Sequence, residues 1–169
     1  WLDVSAAIGV ATHLIKEIIP KNVQLSISIQ ENLGTAKFEE IDVQNLIYNL
    51  ITNAYQATKE QSTIPKIQVT VAPTPKKVAE EIKKDNIRIQ SEEHFVTLEI
   101  TDNGPGIPSD IREKIFEPFF TTKSADEGTG LGLFAVASII AKYEWYLDVQ
   151  SETNQGTTFL IILPVRPPQ

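Results

Sequence analysis

Asp102-Asn103-Gly104-Pro105-Gly106-Ile107 follows directly on Phe95-Val96-Thr97-Leu98-Glu99-Ile100-Thr101, and this junction decides how the chain is read. Residues 95–101 alternate apolar and polar, the pattern of a half-buried strand. The hexapeptide then demands a sharp turn. Gly104 and Gly106 carry no Cβ and accept positive φ, so a flat ligand can lie against bare main chain. Pro105 fixes its own φ and stiffens the turn. Asp102, at the strand's end, presents a carboxylate that can accept a hydrogen bond from an amino group such as the exocyclic amine of adenine. The same residues also suit a plain Asn-Gly-Pro-Gly turn with an Asp cap, so the flanking segments must decide.

Upstream, residues 39–58 read as a helix. Val43, Leu46, Ile47, Leu50, Ile51 and Ala54 form its apolar stripe; Asn45, Asn49, Thr52, Asn53 and Gln56 form the opposite one. Asn49 and Asn53 are one turn apart, so their amides share a face. A solvated face favours Glu, Lys and Ala, because Asn is a poor helix former. Grouped Asn side chains suit a hard cation such as Mg²⁺, which accepts neutral oxygens and keeps several waters. The alternative is a polar face bonded to neighbouring loops. An earlier helix runs from a cap at Asp3 to Pro20, with Val4, Ala7, Ile8, Ala11, Leu14, Ile15 and Ile18 on one face and His13, read as a solvated histidine, on the other. Residues 23–29 and 64–71 read as strands.

Residues 72–94 break this rhythm and read as a charged, exposed insertion between adjacent strands, with a short helix opened by Thr74-Pro75 and a brief strand at 87–89. Downstream of the glycine turn, residues 108–115 read as a short helix. Phe116, Phe119 and Phe120 then suggest a loop anchored in a hydrophobic slot. Gly128-Thr129-Gly130-Leu131-Gly132-Leu133 opens a helix through Tyr143 that is apolar nearly all round and is therefore expected to be central and buried. Such an entry suits phosphates, because free N–H groups and the positive end of the dipole face the anion. Lys123 stands just before it as a point charge for a terminal phosphate. Close packing of loop on helix is the alternative. The spacing fits neither a P-loop nor a dinucleotide fingerprint. Residues 145–151 and 157–163 complete the chain as two strands.

Bulk properties narrow the classes. A length of 169 residues suits one domain. A net charge of −7 argues against nucleic-acid binding and obliges a polyanionic ligand to find local cations or helix N-termini. The absence of cysteine excludes disulfides, thiol catalysis and thiolate metal sites. No apolar run approaches the roughly 20 residues of a membrane span. The chain starts at Trp1 and contains no Met, which reads as part of a longer polypeptide.

Taken in order, the helical Asn pair, the Asp-Asn-Gly-Pro-Gly turn, the Phe-rich loop and the second glycine segment resemble the catalytic ATP-binding domain of sensor histidine kinases, a relative of gyrase, Hsp90 and MutL-type ATPases. The resemblance spans the chain except residues 72–94. It implies an α+β fold, a two-layer α/β sandwich in which a mixed β-sheet carries helices on one face. It implies ATP and Mg²⁺ as ligands, with Asn49 and Asn53 serving metal and phosphates and Lys123 joining them in catalysis. Asp102 would read the adenine amine in a pocket shaped by Gly104, Gly106 and Ile107, with Thr158 beside Asp102. Residues 116–130 would form a lid over the nucleotide, contributing Phe119, Thr122, Lys123, Gly128, Thr129 and Gly130, continued by Leu131, Gly132 and Leu133.

The implied activity is donation of the γ-phosphate to a histidine on a separate dimerisation domain, with a response regulator receiver downstream. The implied setting is cytoplasmic, whether or not the parent protein is membrane-anchored, and neither nucleic acid nor membrane is a partner of this fragment. The sequence departs from the family at Gln56, where a basic residue is common, at Thr52, where an acidic one is, and at Glu144-Trp145-Tyr146, in place of a Gly-Gly turn. Neither His13 nor His94 lies in an acceptor motif. Two other readings stay open: an ATP-hydrolysing clamp, which needs a carboxylate on the Asn stripe, and a nucleotide-gated binding module.

Overall fold

The computed structural model describes residues 1–61, 63–85, 94–122 and 128–168. Its elements are β1 (Leu2–Asp3), α1 (Val4–Ile18), β2 (Gln24–Ile29), β3 (Thr35–Ala36), α2 (Glu40–Thr58), β4 (Lys66–Pro73), α3 (Lys76–Asp85), β5 (Phe95–Asp102), α4 (Gly132–Tyr143), β6 (Tyr146–Ser151) and β7 (Thr157–Pro164). The expected strand at 87–89 lies outside the described residues. Five strands form one mixed sheet in the order β2-β4-β5-β7-β6, and β1 pairs separately with β3. Among the described residues only β2 and β4 pair in parallel, and a parallel pair needs a long crossover, which here contains α2.

The sheet's buried face follows the alternation. Leu98 and Ile100 of β5, Ile67, Val69 and Val71 of β4, and Phe159 and Ile161 of β7 join α1, α2 and α4 in one core. α2 packs against α1 on one side and α4 on the other, and its whole apolar stripe is buried. Asp3 caps α1 by accepting from Ala6 N–H at 2.7 Å.

Four expectations need correction. Leu14 and Ile18 of α1 are 49% and 64% exposed. The arc that meets the core is narrower than the apolar stripe: Leu14 falls just outside it, and Ile18 lies on the last turn. α4 is not central: Val136, Ile139 and Ile140 are buried, but Phe134 is 41% exposed. Its apolar composition covers the full circumference, while only one side meets α2. Residues 109–113 form turns that end in a 3-10 segment at Lys114–Phe116 rather than a regular helix, because three-residue closures such as Lys114 N–H to Ile111 O predominate and only Ile115 is buried. Finally, α1, α2 and α4 share one face of the sheet as the sandwich requires, while α3, in the segment read as an exposed insertion, is not wholly exposed and lies on the other face. There Ile82 packs with Phe95 and Ile162, flanked by Tyr146 and Leu160.

A polar clasp holds the C-terminal end of α4 to the start of α2. Lys142 Nζ lies 2.7 Å from Asp42 and 2.9 Å from Glu39, while Tyr143 Oη donates to Asp42 at 2.6 Å. Lys142 and Tyr143 hold the Asp42 carboxyl below its ordinary pKa. A depressed carboxyl stabilises the fold above its unfolded pKa, and that contribution is lost as pH falls through the folded value. Asp42→Ala is therefore expected to lower the urea midpoint modestly at neutral pH, as partly exposed pairs do. The difference from wild type closes in acid, where Asp42 is protonated in both states. A gap that stayed constant across the acid range would show that the clasp contributes nothing through charge. Just beyond it, Glu144 takes φ 56°, the left-handed position usually given to glycine at a helix end. This accounts for a chain that turns without the Gly-Gly pair. No helix among the described residues is long and apolar enough to cross a membrane.

Candidate functional site

Strand parity puts the first candidate where it is. Val96, Leu98 and Ile100 are buried, and Asp102 keeps the same parity at the end of β5. Its carboxylate therefore closes an apolar column and is 6% exposed. Oδ1 accepts from Gly104 N–H at 2.7 Å. Burial raises the Asp102 pKa above the ordinary carboxyl value, against the pull of hydrogen bonds from the Gly104 and Thr157 backbone. Such a buried carboxylate at the mouth of a turn can meet a ligand's amino group.

The turn itself is held from two directions. Asn103 acts as an extra rung of the β4–β5 ladder: its Oδ1 accepts from Lys66 N–H at 2.8 Å and its Nδ2 donates to Ile64 O at 3.0 Å. On the far side, the 104–106 turn interlocks with the 152–156 turn. Asn154 N–H donates to Pro105 O at 2.7 Å. Gly106 lies against Glu152 O, and Gly156 against Asp102 O. The Ile107 N–H donates to Ser151 Oγ at 2.8 Å.

α2 supplies the floor. Its polar stripe is largely half-buried rather than solvated, with Asn49, Thr52, Asn53 and Gln56 all of intermediate exposure. Asn49 Nδ2 donates to Asn45 O at 2.8 Å, which turns the amide nitrogen to the helix and leaves Oδ1 beside Gly132. A Cβ on Gly132 would lie 3.1 Å from that oxygen. At the other end, a Cβ on Gly104 would lie 3.2 Å from Ala57 Cβ. Both glycine segments thus close on one helix, at positions eight residues or about 12 Å apart, with Asn53 between them.

Gly132 also starts α4, and Leu131 before it makes no side-chain cap. The first N–H groups of a helix point toward its N-terminal end, an orientation that suits an anion. Phe119 N–H donates to Gly130 O at 2.9 Å, tying together the described flanks of the intervening loop. Phe116 meets Phe159 edge-on at 6.5 Å and Phe120 packs on the core, but Phe119 is 73% exposed at φ 66°. Two of the three Phe anchor the loop and the third does not. Thr122, Thr129 and Leu131 are exposed, while Gly128 and Leu133 are half-buried. Lys123 lies outside the described residues.

Thr158 is not beside Asp102. It pairs with Thr101 and shares a 2.9 Å hydroxyl contact with it on the opposite face of the sheet. The neighbour of Asp102 is Thr157, which pairs with it directly and is buried. Sequence reasoning also missed Asn103, Ser151 and Gly156 as supports of the site. The Gly156-Thr157 step at a strand start was the available signal.

Among the described residues, no group of three His, Cys, Asp or Glu side chains could hold a metal. A divalent ion here would rely on amide oxygens, ligand oxygens and water. The Asn49 amide is oriented to offer its oxygen, and that donor chemistry fits a hard cation.

A family model described as histidine kinase-, DNA gyrase B-, and HSP90-like ATPase matches residues 38–167. Sensor kinase CckA of Brucella abortus is 36% identical over 163 residues, which is 96% of this chain and 17% of that protein. The sensory histidine kinase/phosphatase NtrB of Rhodobacter capsulatus is 31% identical over 165 residues, 96% of this chain and 40% of that protein. The chain thus spans less than half the length of these relatives. A mycobacterial sensor histidine kinase, MprB, superposes with a TM-score of 0.74 at 21% identity, covering 98% of this chain and 97% of that one. Full-length ShkA in complex with AMPPNP superposes with a TM-score of 0.72 at 21% identity, covering 98% and 31%. Both likenesses show the fold.

Proposed function

This chain belongs to the histidine kinase-, DNA gyrase B- and HSP90-like ATPases, and from that premise we propose that it binds Mg·ATP and presents the γ-phosphate to a histidine on another domain. One observation carries the reading: a Cβ on Gly104 would crowd Ala57 and one on Gly132 would crowd Asn49, so both glycine segments approach α2 closely and one helix joins a base-reading end to a phosphate end. Asp102 meets the adenine amine, with Thr157 rather than Thr158 beside it. Asn49 and Asn53 offer amide oxygens to Mg²⁺, whose role when bound is to neutralise phosphate charge. The α4 N-terminus receives phosphate oxygens, and residues 116–130 cover the nucleotide. Lys123 is assigned to the terminal phosphate from its place in the sequence.

Phosphoryl transfer needs alignment and charge neutralisation more than covalent help. The nucleophilic imidazole then comes from the dimerisation domain, and a receiver domain takes the phosphate on. Water activation is not adopted. It calls for a carboxylate one turn before Asn53, where Asn49 stands, and the nearby Asp42 is engaged by Lys142 and Tyr143.

Calorimetric titration tests the assignment. ATP is expected to bind more tightly with Mg²⁺ than without, and Asn49→Ala is expected to remove most of that increment, roughly tenfold for one charge-assisted ligand. An Mg²⁺ increment that survived both Asn49→Ala and Asn53→Ala would place the metal elsewhere. The isolated chain is expected to form no acid-labile phosphate on itself.

A further inference from the structure

Five polar side chains are buried among the described residues: Thr12, Thr58, Asp102, Ser151 and Thr157. Thr12 and Thr58 return their hydroxyls to carbonyls of their own helices. The other three stand in one row across adjacent strands, because Asp102 pairs with Thr157 and Thr157 with Ser151. Polar groups in an apolar layer are costly unless they satisfy one another. A contact between Asp102 and a base explains only one end of the row.

Counting hydrogens shows what the rest does. A serine hydroxyl donates once and accepts twice. Ser151 Oγ lies 2.9 Å from Gly156 O, which can only accept, so the serine's hydrogen goes there. Its oxygen accepts from Ile107 N–H. The 2.9 Å contact between Ser151 Oγ and Thr157 Oγ1 must then carry the threonine's hydrogen. Thr157 Oγ1 is left with lone pairs alone. The Ser151 carbonyl is engaged as well, accepting from Arg112 Nη2, so the serine is held from both its side chain and its main chain.

We propose that Ser151 is a positioning residue that fixes the Thr157 hydroxyl as an acceptor, so that the Asp102–Thr157 pair admits a base bearing an amino group and rejects one bearing a keto oxygen at the same place. This selection rests on the proposed contact of Asp102 with the nucleotide base. With Ser151 as alanine, the Thr157 hydroxyl is free to rotate and to donate, and a keto oxygen is less strongly rejected, with the Asp102 carboxylate still opposing it.

ATP and inosine triphosphate differ at that group, amino in one and keto in the other, so their affinity ratio is the readout. Wild type is expected to prefer ATP. Ser151→Ala should cut the ratio roughly tenfold, the worth of one hydrogen bond, and the near-isosteric Thr157→Val should do the same. The double variant should lose no more than the worse single one, because both act through the same hydroxyl. A folded Ser151→Ala protein with the wild-type ratio overturns the proposal, as does an additive loss in the double variant. If Ser151→Ala does not fold, an unchanged ratio in Thr157→Val overturns it instead. Wild type that binds both nucleotides equally, or neither, removes the Asp102 assignment itself and the proposal with it.

Discussion

Asp102→Asn is expected to weaken ATP binding by about 100-fold or more while leaving the nucleotide-free domain as stable as wild type, or more stable. The two halves of that result have one cause. The carboxylate sits at the end of the Val96-Leu98-Ile100 column, 6% exposed, where the charged form is disfavoured. Asparagine keeps an oxygen that can accept from Gly104 N–H, and it carries no charge to desolvate. Towards an amino group, however, it turns a second donor, and a site built around one hydrogen-bonded group rejects the mismatched partner by several orders of magnitude. The trade of stability for function at a buried polar site is a general one.

The pH dependence follows with a definite sign. The Asp102 pKa is raised in the folded state by burial. Above that folded value the ionised group lowers stability relative to its protonated form. As pH falls through it, the native state takes up a proton before the unfolded chain does, and stability rises. Asp42 does the reverse, because its pKa is depressed. Wild type minus Asp102→Asn should therefore show a gain in stability on acidification that wild type minus Asp42→Ala lacks, while ATP affinity falls over the same range. Calorimetry and urea titrations at stepped pH measure both. ATP affinity unchanged in Asp102→Asn would end the assignment of this residue to the base.

Much of this site was legible because it rests on local periodicity. From Val96 the alternation runs without interruption into Asp102, so parity alone buries the carboxylate. The 3.6-residue repeat of α2 separates Val43, Leu46, Ile47, Leu50, Ile51 and Ala54 from the Asn stripe, and both faces lie where the repeat places them. What escaped depends on pairing between distant segments. Thr157 and Thr158 are adjacent and chemically alike; which one joins Asp102 is set by the register of β7 on β5, and a slip of one residue exchanges the faces. α4 is apolar around its circumference, so composition says nothing about which side stays open. The amphipathic α3 announces an apolar stripe but not the sheet face it covers. Phe116, Phe119 and Phe120 carry no period at all, and only the fold separates the two anchors from the exposed ring.

The same register makes Gly156→Ala a severely damaging small substitution. Gly156 has φ +86°, a left-handed conformation that costs an L-residue about 1–2 kcal/mol. Its added methyl would also fall inside the Asp102 carbonyl. That carbonyl belongs to main chain locked between β4 and β7, so it has no rotamer by which to yield, and overpacking of this kind costs a further ~1–3 kcal/mol. Together these reach a large part of the roughly 5–15 kcal/mol that holds a domain folded. Any relaxation must move the 152–156 turn outward, which breaks the Asn154 N–H to Pro105 O bond and slackens the turn that shapes the site. Gly9 provides the control. It lies within α1, and a Cβ there meets nothing within 4 Å, so Gly9→Ala should stabilise the domain by ~0.5–1 kcal/mol through helix propensity. Urea midpoints of the two variants are expected to move in opposite directions, with Gly156→Ala also losing ATP affinity. Equal midpoints would mean that the interlocked turns are not what holds Asp102 in place.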